Sequence, residues 1–377
     1  MRTALNPVSH WCLVILVTAT SVWPTATTAD PTKQPKVTTE DHMRAVLDEK
    51  DAQSLWLLLA RGGLAGITHQ GNAREINIDT ARQLIQDWAN AKDYRVAASK
   101  TLHHLGIPRD WTAEITKIAQ RFRRDHPHAI VFETRCFHVF STADPKITKA
   151  LGKRMDTIFK MYDNLFNFEE KIPYKCIIKF WKDKNEYHQN GGPPQSVAYY
   201  SPSTKELVGY NTKALRETDH MDPFASMYHE GWHQYFDFYI PGSPRWFDEG
   251  FAEVFEATTV TRGRTRLGRN THQARYAAQL LKQNKLIPIR ELIRMDHQSF
   301  MAQMNTTYAQ SYSFITFLMN FKSQNQRLQD SVRRFYKDYF WELRKGTDPE
   351  KAVDVVFGNV KLEVLENLWK KSVRRQR

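Results

Sequence analysis

Two histidines four residues apart, with a glutamate directly after the first, stand in His229-Glu230-Gly231-Trp232-His233. On a helix, positions i and i+4 lie above one another, so both imidazoles can aim at one point with Glu230 beside it. A hydrolytic zinc site takes three protein ligands and keeps a fourth position for water, whose pKa falls to about 7. A glutamate placed like Glu230 removes that proton and later delivers it to a leaving group. A second acidic segment, Trp246-Phe247-Asp248-Glu249-Gly250-Phe251-Ala252-Glu253, follows closely and offers carboxylates for the third ligand.

The plainer reading makes His229 and His233 ordinary polar residues on an aromatic helix, among Phe224, Met227, Tyr228, Trp232, Tyr235 and Phe236. Between residues 223 and 239 the only other charge is Asp237. Three ionisable groups buried unpaired in such a wall are costly, and a bound metal removes the cost.

The elements that must position these residues follow from periodicity. Residues 1–29 read as a signal peptide: Arg2 is the only formal charge, residues 11–23 are apolar, and Thr27-Thr28-Ala29 is a small-residue cleavage site. An apolar run of about 13 residues is too short to span a bilayer, so export to the periplasm, envelope or medium is expected. Residues 30–128 form a small helical domain, with apolar stripes at Val46, Leu47, Leu55 and Leu58, at Leu84, Ile85 and Trp88, and a third helix from Asp110 to Arg124. Residues 129–373 change character. Ala129 to Ser141 reads as a strand, and Asp144-Pro145 opens a helix striped by Ile147, Leu151, Met155, Ile158, Tyr162 and Leu165. Cys176 to Trp181 is the next strand, and 196–200 with 206–210 pair as a hairpin. The HExxH helix follows, stopped by Pro241-Gly242-Ser243-Pro244, then a helix from Arg245 that carries Glu249, with everything beyond helical and broken near Gly268, Pro288, Gly346 and Gly358. The fold class expected is α+β: a small mixed-sheet lobe followed by a helical lobe.

Composition sets looser bounds. A chain of 377 residues with 25% charged and 41% hydrophobic residues is an ordinary globular protein of about two domains. The formal charge of +13 favours anionic partners, such as an acidic envelope component, yet no basic run interleaved with aromatics marks a specific nucleic-acid face. Outside the signal segment only Cys136 and Cys176 remain, read either as a bridge between two strands or as two buried thiols. Oligomeric state is not legible.

His229-Glu230-x-x-His233 together with Glu249-Gly250-x-Ala252 and this element order resembles the gluzincin metallopeptidases, which include thermolysin and aminopeptidase N. A closer resemblance, over about residues 129 to 373, is to secreted bacterial proteins with an HExxH helix and a segment like Pro244-Arg245-Trp246-Phe247-Asp248-Glu249-Gly250-Phe251-Ala252. The resemblance implies a zincin-like fold and one Zn2+ per chain held by His229, His233 and Glu249. It departs from the better-known members in its short spacing, 15 residues between His233 and Glu249, which leaves Asp248 and Glu253 as fallback ligands. One turn after Glu249, Glu253 is placed to orient a ligating histidine. Tyr308 is the expected oxyanion donor, with Tyr312 one turn later as its rival. The aminopeptidases' substrate-anchoring Gly-x-Met-Glu-Asn stretch is absent, which favours an endopeptidase. The expected function is a secreted zinc metallopeptidase acting on a peptide or protein. The alternatives are a zinc-binding envelope scaffold without turnover, or a metal hydrolase of a non-peptide amide.

Overall fold

The computed structural model describes residues 111–166, 172, 175–202, 204–212, 222–240, 242–344 and 347–375. The signal segment and the expected helices between Thr39 and Trp88 lie outside the described residues. The chain is α+β, with helices on a mixed five-stranded sheet and a larger helical portion after it.

Helix α1 (Trp111–Asp125) precedes strands β1 (Ile130–Glu133) and β2 (Phe137–Ser141). The stretch expected to be one strand is thus an antiparallel hairpin. The reason lies 20 residues downstream: Asp156 accepts hydrogen bonds from Thr134 Oγ1 and from the amides of Arg135 and Cys136, holding the turn. Helix α2 (Pro145–Phe166) buries Leu151, Met155, Ile158 and Tyr162, and Asp144 accepts the amides of Lys146 and Ile147 at its start. Strand β3 (Cys176–Trp181), helix α3 (Lys184–Gln189) and strands β4 (Ala198–Ser201) and β5 (Glu206–Tyr210) complete the sheet. Its order is β1-β2-β3-β5-β4, parallel across β2-β3-β5 and antiparallel at both edges. Both cysteines are free thiols, Cys176 buried and Cys136 half-buried, although Cys176 donates its amide to the Cys136 carbonyl. Helix α1, which the sequence division puts before residue 129, packs Ile115, Ala119 and Phe122 against Phe140, Ile177 and Trp181 of the sheet.

Helix α4 (Ala225–Tyr239) lies between the edge strand β4 and α2. Two polar side chains, Gln234 and Asp237, fix its rotation. Gln234 donates to the carbonyls of Ile177 and Lys205, and Asp237 receives the Tyr200 hydroxyl at 2.8 Å and the Lys205 ammonium. On its other face Trp232 stacks on Phe236, with ring centroids 4.6 Å apart. Gly242, at φ +65°, takes a left-handed conformation open to glycine as the chain reverses into α5 (Arg245–Glu256).

The region beyond α5, expected to be helical with breaks near Gly268, Pro288, Gly346 and Gly358, opens instead on a two-stranded hairpin, β6 (Thr258–Thr261) and β7 (Arg264–Leu267). Thr-Thr-Val-Thr is β-branched throughout, and Arg262 and Gly263 both take positive φ in the tight turn. Helices α6 (Thr271–Lys282), α7 (Ile289–Leu292), α8 (His297–Ala302), α9 (Met304–Asn320), α10 (Gln326–Arg344), α11 (Pro349–Phe357) and α12 (Leu362–Arg375) follow. Among the described residues, no helix is long and apolar enough to cross a membrane.

Candidate metal centre

Helices α4, α5 and α9 meet at one buried point. From α4, His229 and His233 face inward one turn apart, with ring centroids 5.0 Å from each other. From α5, Glu249 places Oε2 at 3.4 Å from His229 Nε2 and 3.5 Å from His233 Nε2. All three residues are buried, and none of these three atoms has a hydrogen-bond partner. Leaving one such polar atom unsatisfied costs about 1–3 kcal/mol, so three aimed at one another suit a shared occupant. Two donors on a tetrahedral zinc, each about 2.0–2.1 Å from it, stand about 3.4 Å apart. The observed separations and the imidazole and carboxylate chemistry fit such an ion.

The charge around this point asks for a cation as well. Glu230, Asp248, Glu249, Glu253 and Glu256 are all at or next to it, against one permanent positive group, Arg245. Burial pulls the His229 pKa down, but Glu249 and Glu256 overcome it and hold it well above the usual value. Burial likewise opposes His233, yet Asp248 and Glu249 raise it to about 10. Without a metal, the pocket gathers protons on its imidazoles instead.

Each first contact is braced from behind. His233 Nδ1 meets Asp248 Oδ1 at 2.9 Å, so the aspartate accepts the proton on the nitrogen opposite Nε2. His229 Nδ1 faces Glu256 Oε2 at 3.6 Å. Arg245 Nη1 approaches the other Glu249 oxygen at 3.4 Å, and its Nε donates to His297 Nδ1 at 3.0 Å. Arginine cannot accept a hydrogen bond, so His297 must carry its proton on Nε2.

Glu230 is buried beside the histidines, and burial raises its pKa. One oxygen accepts the amide of Tyr200 on β4 at 3.0 Å, and the other has no partner. Tyr308, on the first turns of α9, is buried with its hydroxyl unpartnered. Burial, then the neighbouring Glu249 carboxylate, push its pKa well up, so the proton stays on and is available to donate. Tyr312 is engaged elsewhere, its hydroxyl accepting the Asn270 amide at 3.0 Å. The structure therefore gathers His229, Glu230, His233, Glu249 and Tyr308 at one place.

Glu253 sits differently from expectation. Its donor atoms cluster with those of His229 and Glu256 within 4.8 Å, but Oε2 accepts from Asn270 Nδ2 at 2.8 Å. Burial, then the charge of Glu256, lift its pKa to about 8. The carboxylates facing Nδ1 of His233 and of His229 are Asp248 and Glu256, neither of which the sequence reading put in that role. A signal existed: Arg245, Glu249, Glu253 and Glu256 recur at helical spacing and form one stripe of α5.

Residues 224–337, which contain α4, α5 and α9, match a family profile described as "Protein of unknown function (DUF1570)". No curated protein matches the chain.

Proposed function

We propose that the chain is an exported zinc-dependent metallopeptidase of the gluzincin kind on a zincin-like fold. The observation that carries this reading is the set of three unpartnered donor atoms, His229 Nε2, His233 Nε2 and Glu249 Oε2, converging at 3.4 and 3.5 Å in a buried pocket. The antiparallel edge strand β4 against the HExxH helix, followed by a helix returning a glutamate, supports the zincin-like assignment.

When bound, zinc supplies a Lewis acid and lowers the pKa of water at its open position to about 7. The rest is done by side chains. The unpartnered oxygen of Glu230 takes the proton of the attacking water and returns it to the departing amine. The Tyr308 hydroxyl donates to the oxyanion as the carbonyl becomes tetrahedral. Among the described residues β4 is the last strand of the sheet, and an extended peptide laid beside it would pair by main-chain hydrogen bonds.

The test is to purify the exported protein, measure zinc per chain, and compare wild type with Glu230→Gln on a peptide library. One zinc in both proteins and cleavage by the wild type alone is expected. Equal cleavage by both removes Glu230 as the base, and a zinc-free wild type removes the metal centre.

A further inference from the structure

We propose that the β6–β7 hairpin and the start of α6 form a docking surface for a linear phosphodiester polymer, gripped through its backbone. The motive is a sharp local imbalance. Residues 257–290 contain no aspartate or glutamate, yet they carry Arg262, Arg264, Arg266, Arg269 and Arg275, with Lys282, Lys285 and Arg290 further on. This segment thus holds a large share of the formal +13 of the chain. Among the described residues, the hairpin arginines are exposed and make no salt bridge.

Their kind and placement select the partner. All four cations from Arg262 to Arg269 are arginine, whose planar fork binds phosphate through paired N–H groups, where lysine acts as a point charge. Arg264 and Arg266 alternate along β7 and project from one face, about 6.6–6.8 Å apart. Consecutive charges of an extended polymer can therefore meet consecutive guanidinium groups. Nothing here is suited to entering a bilayer: the exposed large apolar residues, Leu328, Trp341, Val355 and Val364, are all elsewhere.

The surface is also held rigidly. Strand β6 packs on α2 and α4, and the Val260 amide reaches Asp222 at 3.5 Å. Asn270, directly after Arg269, donates its side chain to Glu253 and its amide to Tyr312. A polymer bound here meets arginines whose backbone is already fixed, so little ordering opposes binding.

The experiment is fluorescence anisotropy of the full chain with a labelled abasic deoxyribose-phosphate oligomer, which offers phosphodiesters without bases. One phosphate contact from each of Arg262, Arg264, Arg266 and Arg269 predicts a loss of roughly 50-fold in affinity between about 50 and 200 mM salt. The R264E/R266E protein should bind at least about tenfold more weakly and with a shallower salt slope, while its zinc content and circular dichroism match wild type. R264K/R266K, which keeps the charge but not the fork, should fall between them. Equal binding by wild type and R264E/R266E overturns the proposal, as does failure of the wild type to bind the oligomer. Binding to phosphatidylglycerol vesicles but not to the oligomer assigns the face to a membrane instead. A strong preference for oligothymidylate over the abasic chain rules out recognition through the backbone alone.

Discussion

Asp248 and Glu249 are chain neighbours with opposite tasks, one bracing a histidine and the other facing the shared point with Oε2. Glu249→Ala should therefore abolish zinc binding, whereas Asp248→Asn should keep the ion with affinity reduced about 10- to 100-fold, as outer contacts generally do. Chelator competition separates the two, and the reverse ranking would exchange their roles. Tyr308→Phe should lower kcat by a factor of 10² to 10³, about 3–4 kcal/mol, with KM little changed, while Tyr312→Phe should leave kcat near wild type. The pair His229, His233 and the neighbouring Glu230 were legible because helical spacing alone places them together. The braces were not legible, because they depend on which ring nitrogen faces the centre. Glu253 shows why: its partner Asn270 lies on the far side of a hairpin, a contact that no periodicity announces.

At the scale of elements, Gly250 decides how closely the glutamate helix approaches the tyrosine helix. A Cβ there would stand 2.9 Å from the Ser311 carbonyl oxygen and 2.6 Å from Ile315 Cγ1. Main chain cannot yield as a side-chain tip can, so Gly250→Ala should push α5 from α9 and cost about 1–3 kcal/mol. Gly231→Ala is the control, since its Cβ would crowd the terminal methyl of Met155 at 2.6 Å, which can swing aside, and would stand at ordinary contact distance, 3.5 Å, from the Tyr162 hydroxyl. Urea titrations of the two variants should rank them in that order, and equal losses would refute the argument. Helices α2, α4 and α5 and the β4–β5 hairpin were readable from stripes and turn residues. The turn at 134–136 and the hairpin at 258–267 were not. The first is held by Asp156 from another element, and the second is too short for its alternation to stand out within a helical context.

Across the whole molecule, metal binding should be coupled to both stability and pH. An ion that binds only the folded chain stabilises it by about 4 kcal/mol at a thousand times its Kd, so chelation should lower Tm and zinc should restore it. Both histidines proposed as ligands have raised pKa values in the metal-free chain, His233 to about 10. They must lose their protons to ligate, so below those values each ion displaces about two protons. Zinc affinity should then rise about 100-fold per pH unit between roughly pH 6 and 8, flattening as the pH passes the raised values. A pH-independent affinity would mean that the imidazoles are already neutral. The division at residue 128 shows the limit of reading domains from composition, since α1 buries Phe122 against Phe140 and Trp181 of the sheet that follows.

The oxygen of Glu230 that rests on the Tyr200 amide is clasped by main chain, so trimming the Tyr200 side chain leaves the clasp in place. Proline at that residue is the exception, and an outer strand tolerates it better than a central one. Any ligand that tugs on this strand also tugs on Glu230, so under the proposed function the sheet margin and the base are one mechanical part.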